Sequence, residues 1–225
     1  MSEKLIPRFV LLNPPEEILI AYQIMENFFT VNDLTPAEPI IIKLDYYLDK
    51  DPLVCGKYFE SEDPWSIHIS PNSCITLNKY TFGEDEISYH GYPVDMSMFG
   101  VAIHEFSHLL AYNFYPDLFE QFKHEFPKKR TYLTRYTESD PNEELVELMR
   151  LYIQNPLFLK MIDSKSYNFL KNRFKSPTSC SHKQAHRFYK EFPKEVRDKL
   201  CNSWGIEYNV ETEKFVNNLN SKELS

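Results

Sequence analysis

The chain has 225 residues, of which 42% are hydrophobic, 15% aromatic and 26% charged, a composition that excludes disordered, collagen-like and coiled-coil classes and can build a buried core. The net charge of −8 divides unevenly, with 12 Lys+Arg against 25 Asp+Glu over residues 1–150 and 13 against 8 over residues 151–225. The acidic front repels phosphates, so no nucleic-acid partner is expected, and the basic back third reads as solvated helix faces.

In chain order, the apolar run Phe9-Val10-Leu11-Leu12 is too short for a signal peptide. No stretch reaches the ~18 apolar residues of a membrane span, so a cytoplasmic protein without membrane contact is expected, a location compatible with export by a specialised secretion apparatus. Asn13-Pro14-Pro15-Glu16 supplies an N-cap, first-turn prolines and a glutamate at the third helical position. Ile18, Ala21, Tyr22, Met25 and Phe29 then recur at helical spacing, which predicts a helix from about 14 to 29. Between 39 and 92 the texture becomes β-branched and aromatic, broken by Pro, Asp and Asn turns; segments 39–48, 65–70, 74–78 and 87–90 predict a small sheet.

After residue 94 strand signals vanish and helical patterns follow, at about 96–113, 117–125, 141–154, 157–174, 181–192 and 194–204, the last stopped by Gly205. Sheet first and helices after is an α+β order. Asn155-Pro156 marks the best handover between a domain over 1–155 and a C-terminal helical extension over 156–225 packed on the same core. Five Gly against 15 Pro argue against glycine-rich phosphate loops. Cys55, Cys74, Cys180 and Cys201 form no Cys-x-x-Cys pair, and reduced thiols are expected.

His104-Glu105-Phe106-Ser107-His108 is the motif that carries chemistry. It falls in a helix apolar nearly all round, with Met98, Val101, Ala102, Ile103, Phe106, Leu109 and Leu110. Residues i and i+4 share a helical face, so His104 and His108 can offer two imidazole nitrogens to one zinc ion at ~2.0–2.1 Å each. Glu105 is offset from both and is placed to act as general base toward a metal-activated water. Two histidines and a carboxylate in an apolar helix would be costly to bury with nothing to satisfy them.

A catalytic zinc needs a third protein ligand. Asp140-Pro141-Asn142-Glu143-Glu144-Leu145-Val146-Glu147 opens a helix on which Glu143 and Glu147 share a face. One can bind the metal while the other orients a ligand histidine through its second N–H. A competing role for Glu143 is a capping box with Asp140, Pro141 standing at the first helical position. Glu144 reads as a solvated helix residue.

His104-Glu105-x-x-His108, followed by Tyr136 and by Asp140-Pro141-x-Glu143-x-x-x-Glu147, resembles the gluzincin zinc metallopeptidases, particularly the anthrax-lethal-factor-like group and its small phage and bacterial relatives. In that group a tyrosine lies seven residues before the glutamate ligand, and a helix of the form Asn-Pro-x-Glu-x-Phe-Ala-Glu follows. Here Asp140 stands for Asn, Leu145-Val146 for Phe-Ala, and Ser107 where many relatives carry Gly. The resemblance implies one zinc ion per chain held by His104, His108 and Glu143, with Glu105 as base. It also implies Tyr136 as a hydroxyl steadying the oxyanion, and Glu147 as a structural partner or one that orients a ligand.

The expected architecture is a zincin-like α+β domain, a small mixed sheet packed on the His-Glu-x-x-His helix, followed by a mostly helical C-terminal part. The expected activity is hydrolysis of a peptide or protein substrate, a strand within 74–90 pairing with the extended chain. The rival readings are a catalytically silent peptide-binding or inhibitory module, against which Glu105 counts, and a narrow-specificity toxin or effector protease. Oligomeric state is left open by the sequence. Among the other histidines, His182 and His186 after Cys180 could form a structural zinc site but read better as surface residues beside Lys183 and Arg187. His68 and His124 stand alone, and His90, on the approach to the active helix, is a candidate for substrate contact.

Overall fold

The computed structural model describes residues 8–11, 14–45, 48, 54–61, 64–72, 98–127, 137, 140–154, 156, 159–160, 163–176, 206–209 and 214–217. These form a mixed α+β arrangement. Strands β1 (Phe9–Leu11), β2 (Ile40–Leu44), β3 (Gly56–Phe59) and β4 (Ser66–Ile69) make a sheet of order β1-β2-β4-β3. The helices are α1 (Glu16–Val31), α2 (Met98–Leu109), α3 (Leu118–Glu125), α4 (Pro141–Gln154) and α5 (Ser164–Lys171). A π-helical segment, Leu110–Phe114, prolongs α2, and an antiparallel pair, β5 (Ile206–Asn209) and β6 (Lys214–Asn217), follows α5.

Strands β1 and β2 run parallel, with Phe9 opposite Ile40, and β2 runs parallel to β4, with Ile42 opposite Ile67. A parallel pair cannot be closed by a tight hairpin, and the 16 residues of α1 form the crossover. Strand β3 reverses direction and pairs with β4 alone, Gly56 opposite Ile69 and Tyr58 opposite Ile67. It is one edge of the sheet among the described residues, β1 being the other.

Helix α2 packs on α1, α4, β3 and β4, which is why its Val101, Ala102, Ile103, Phe106 and Leu109 are all buried. Phe106 is the hub: the rings of Phe9, Phe28 and Phe29 lie at centroid distances of 6.1, 5.8 and 5.3 Å from it. Fully burying each such side chain is worth roughly 1.5–3 kcal/mol. This cluster fixes α2 against α1 and the sheet, and so fixes what α2 carries. Beyond residue 156, Leu159, Phe169, Leu170 and Phe174 join the same core, and the Tyr152 hydroxyl donates to the Phe174 carbonyl at 2.9 Å. No helix among the described residues is long and apolar enough to cross a membrane.

Several expectations are corrected. Helix α1 starts at Glu16 rather than 14, because Pro15 is extended (φ −67°, ψ 165°) and takes the N-cap position without a side-chain hydrogen bond. Its carbonyl instead receives the Ile18 and Leu19 N–H groups. The helix expected over 157–174 is interrupted at Asp163, whose non-helical backbone and side chain, accepting from the Ser166 N–H at 3.0 Å, start α5 afresh. Strand structure does not end at residue 94, since β5 and β6 form after Gly205. Strands β1 and β3 were not anticipated. The segments 74–78 and 87–90 and the helices 181–192 and 194–204 lie outside the described residues.

Candidate metal centre

Helices α2 and α4 pack side by side, and each presents a pair of ionisable residues one turn apart to the other. The ligand atoms of His104, His108 and Glu143 all lie within 4.8 Å of one another. Glu143 Oε2 is 3.2 Å from His104 Nε2, and Glu143 Oε1 is 3.4 Å from His108 Nε2. Ligands held at ~2.0–2.1 Å around a tetrahedral zinc stand about 3.4 Å apart, so both spacings suit a shared ion. Glu143 Oε2 is buried without a hydrogen-bond partner among the described residues, although an imidazole nitrogen is close by. A cation between the two would satisfy both, and two imidazoles with one carboxylate are a donor set suited to a divalent transition metal, zinc among them.

The capping alternative for Glu143 resolves by division of labour. Asp140 caps α4, its Oδ1 accepting from the Asn142 N–H at 2.8 Å, while the Glu143 carboxylate is directed at the histidines of α2. Burial pushes the Glu143 carboxyl up, but the adjacent His104 and His108 outweigh burial and hold it well below the usual carboxylate range.

Glu147, with no exposed surface, lies behind His104. Its Oε1 is 2.6 Å from His104 Nδ1, which leaves His104 Nε2 toward Glu143. Burial opposes charge on both partners. Even so, Glu143 and Glu147 push the His104 imidazole up to about 10, while Arg150 and His104 hold Glu147 down at about 2. Arg150, equally inaccessible, donates from Nε to Glu147 Oε1 at 2.9 Å and from Nη2 to Oε2 at 2.8 Å, and from Nη1 to Gln154 Oε1 at 2.7 Å.

Glu105 faces β3 instead of α4. A Cβ built on Gly56 would meet Val101 Cγ1 and would stand 2.8 Å from both Cγ and Oε1 of Glu105, so only glycine lets the strand approach this closely. The Tyr58 backbone N–H donates to the Glu105 carboxylate. Burial raises the Glu105 carboxyl above its ordinary value, opposed by His104 and His108.

An aromatic wall adjoins His108. Tyr112 stacks on the His108 ring (5.9 Å, 7° between planes) and on Tyr58 (6.5 Å, 18°), and meets Phe119 at 5.2 Å. Tyr112 is 40% exposed, and the Tyr58 hydroxyl donates to Asn113 Oδ1 at 2.6 Å.

The structure thus brings together His104, Glu105, His108, Glu143 and Glu147. Tyr136, His90, Cys180, His182 and His186 lie outside the described residues. His68 stands on β4, its Nε2 3.0 Å from Ser66 Oγ and its ring 4.4 Å from Phe59. His124 is exposed on α3. Glu144 is not solvated as expected: it is 3% exposed, because α4 is covered on more than one side. Sequence reasoning missed Gly56, Tyr112 and Arg150, although Tyr112 continues the i, i+4 row of His104 and His108, and Arg150 stands three residues after Glu147. Compared with known proteins, the chain matches no family model, no curated protein and no solved structure.

Proposed function

We propose that the protein is a zinc-dependent metallopeptidase with a zincin-like active-site domain. The observation that carries this reading is the clustering of His104, His108 and Glu143 ligand atoms within 4.8 Å, with Glu105 held apart from them against β3. His104 and His108 would hold the metal through Nε2, and Glu143 would supply the third ligand from across the helix pair. When bound, zinc supplies an acidified water and a Lewis acid for the scissile carbonyl. Glu105 takes the proton and returns it to the leaving amine, its orientation set by the Tyr58 N–H. Tyr136 has the oxyanion-steadying role that the motif resemblance implies for it.

The outer edge of β3, beside the Glu105 carboxylate, is the strand we assign to pairing with an extended peptide, in place of one within 74–90. Tyr112, exposed next to His108, forms the wall against which a substrate side chain packs. The test is zinc content by elemental analysis together with cleavage of unfolded protein substrates. About one zinc per chain, lost in His104→Ala and His108→Ala, and hydrolysis abolished by chelation are expected. Full metal content in His104→Ala would overturn the ligand assignment, and zinc binding with no cleavage of any substrate would favour a silent binding module.

A further inference from the structure

The desolvated ion pair behind His104 calls for an explanation that fold stability does not supply. Arg150 and Glu147 have no exposed surface and sit on a helix whose Leu148, Met149, Leu151 and Ile153 are also buried. A buried ion pair of this kind is often replaceable by apolar side chains without loss of stability, because the desolvation of two charges offsets their attraction. Its geometry indicates another role. A glutamate carboxylate rotates freely about its terminal torsion unless something holds both oxygens. Here the guanidinium fork holds both, Nε on Oε1 and Nη2 on Oε2, at 2.9 and 2.8 Å, while Gln154 Oε1 anchors Nη1 at 2.7 Å. The same Oε1 stands 2.6 Å from His104 Nδ1. The clamped carboxylate therefore fixes both the plane of the His104 ring and which nitrogen is left for a metal.

We propose that Arg150 is a positioning residue of the metal centre: through its two-pronged grip on Glu147 it sets the orientation of His104, with Nε2 presented beside Glu143 and His108. This inference rests on the zinc reading above. It assigns the chain Gln154, Arg150, Glu147, His104 to the metal, running from the last turn of α4 into α2. Lysine cannot substitute, because a single ammonium cannot make two parallel bonds to one carboxylate.

The test compares the wild type with Arg150→Lys, Glu147→Gln and the double variant Glu147→Gln/Arg150→Met, the last removing both charges so that neither is left buried alone. Zinc dissociation constants are measured by competition with a chelating indicator, and unfolding temperatures are measured on the metal-free proteins. Arg150→Lys, which keeps the charge and loses the fork, is expected to weaken zinc about 10–100-fold. The double variant is expected to bind no more weakly than Glu147→Gln alone, since Arg150 acts through Glu147. Wild-type zinc affinity in Arg150→Lys, whatever its unfolding temperature, overturns the proposal and leaves Arg150 a structural residue. So does a double variant at least tenfold weaker than Glu147→Gln. A wild-type protein that binds no zinc overturns the metal reading itself, and this inference with it.

Discussion

Gly56→Ala separates the position of the proposed general base, Glu105, from the proposed metal site. The added Cβ would lie 2.8 Å from Glu105 Cγ and Oε1 and in collision with Val101 Cγ1, whereas non-bonded heavy atoms rest at ~3.5–4.0 Å. Moving Glu105 alone would leave the collision with Val101, so β3 must retreat from α2, by more than the roughly 0.7 Å that clears Glu105. Val101 and Glu105 are 5% and 7% exposed, so neither has open space to retreat into. Overpacking of this kind costs about 1–3 kcal/mol, which for a chain of this size lowers the unfolding temperature by about 2–4 °C per kcal/mol. The displaced carboxylate also loses its alignment with the Tyr58 N–H, and a misplacement of ~1 Å can cost ~10²-fold in rate. His104 and His108 meet Glu143 on the side of α2 that packs on α4, so zinc affinity is expected to stay within about threefold of wild type while peptide cleavage falls roughly 10–100-fold. Calorimetric unfolding, zinc competition and cleavage of a fluorogenic peptide measure the three quantities. Full activity at an unchanged unfolding temperature would show that β3 does not press on Glu105 and would remove the positional account of the base.

Glu105→Gln should keep zinc and fold yet lose roughly 10²–10⁴ in kcat, since the amide cannot accept the proton; unchanged turnover in a chelator-sensitive assay would eliminate it as base. Glu143→Gln should weaken zinc markedly while α4 stays helical, because Asp140 alone caps it; zinc affinity equal to wild type would remove Glu143 from the ligand set. Tyr112→Ala should raise KM about tenfold for substrates with large apolar or aromatic side chains and leave zinc affinity alone, and an unchanged KM across a peptide library would refute the wall. In the metal-free protein, His104 is raised from 6.5 to about 10 and Glu147 is lowered from 4.5 to about 2. The His104 contribution to stability is therefore full below pH ~6.5 and lost as pH rises through about 10, and that of Glu147 is full above pH ~4.5 and lost as pH falls toward 2. Unfolding temperature against pH in chelator, flat from neutral to pH 10, would contradict the alkaline limb.

The parts of the site that sequence made legible are those set by local periodicity. The four-residue spacings of His104 with His108 and of Glu143 with Glu147 follow from one helical turn, and both pairs face the same cluster in the structure. Helices α2, α3 and α4 and strands β2 and β4 were legible for the same reason: each carries an apolar pattern long enough to declare its period. Strands β1 and β3 are three and four residues long, too short to declare a period, and β1 in addition depends on partners distant in sequence, Ile40 to Ile42. Gly56 illustrates the ambiguity, because a glycine before Lys57-Tyr58-Phe59 signals a turn locally, whereas here it marks the closest approach of a strand to a helix. Arg150 was illegible because an arginine amid Leu148, Met149 and Leu151 reads as the solvated side of an amphipathic helix until α4 is known to be covered there as well.

The buried polar residues of α2 divide by where their partners lie, and that division is what makes the helix more than a core element. Ser107 turns back on its own backbone, donating to the Ile103 carbonyl at 2.8 Å, and needs nothing from its neighbours. His104 and Glu105 are adjacent in sequence, about 100° apart around the helix, and find their partners in different layers: His104 in α4, Glu105 in β3. The proposed ligand and the proposed base, anchored to separate elements, can be held at fixed distance only if those elements are rigid with respect to α2. The Phe9, Phe28, Phe29 and Phe106 cluster fixes α2 on the sheet, while the Arg150 grip on Glu147 ties α4 to His104. Loosening the aromatic cluster should therefore impair both zinc affinity and proton transfer, whereas loosening the Arg150 grip should impair zinc first. That difference in order distinguishes a site carried by packing from one carried by its own polar contacts.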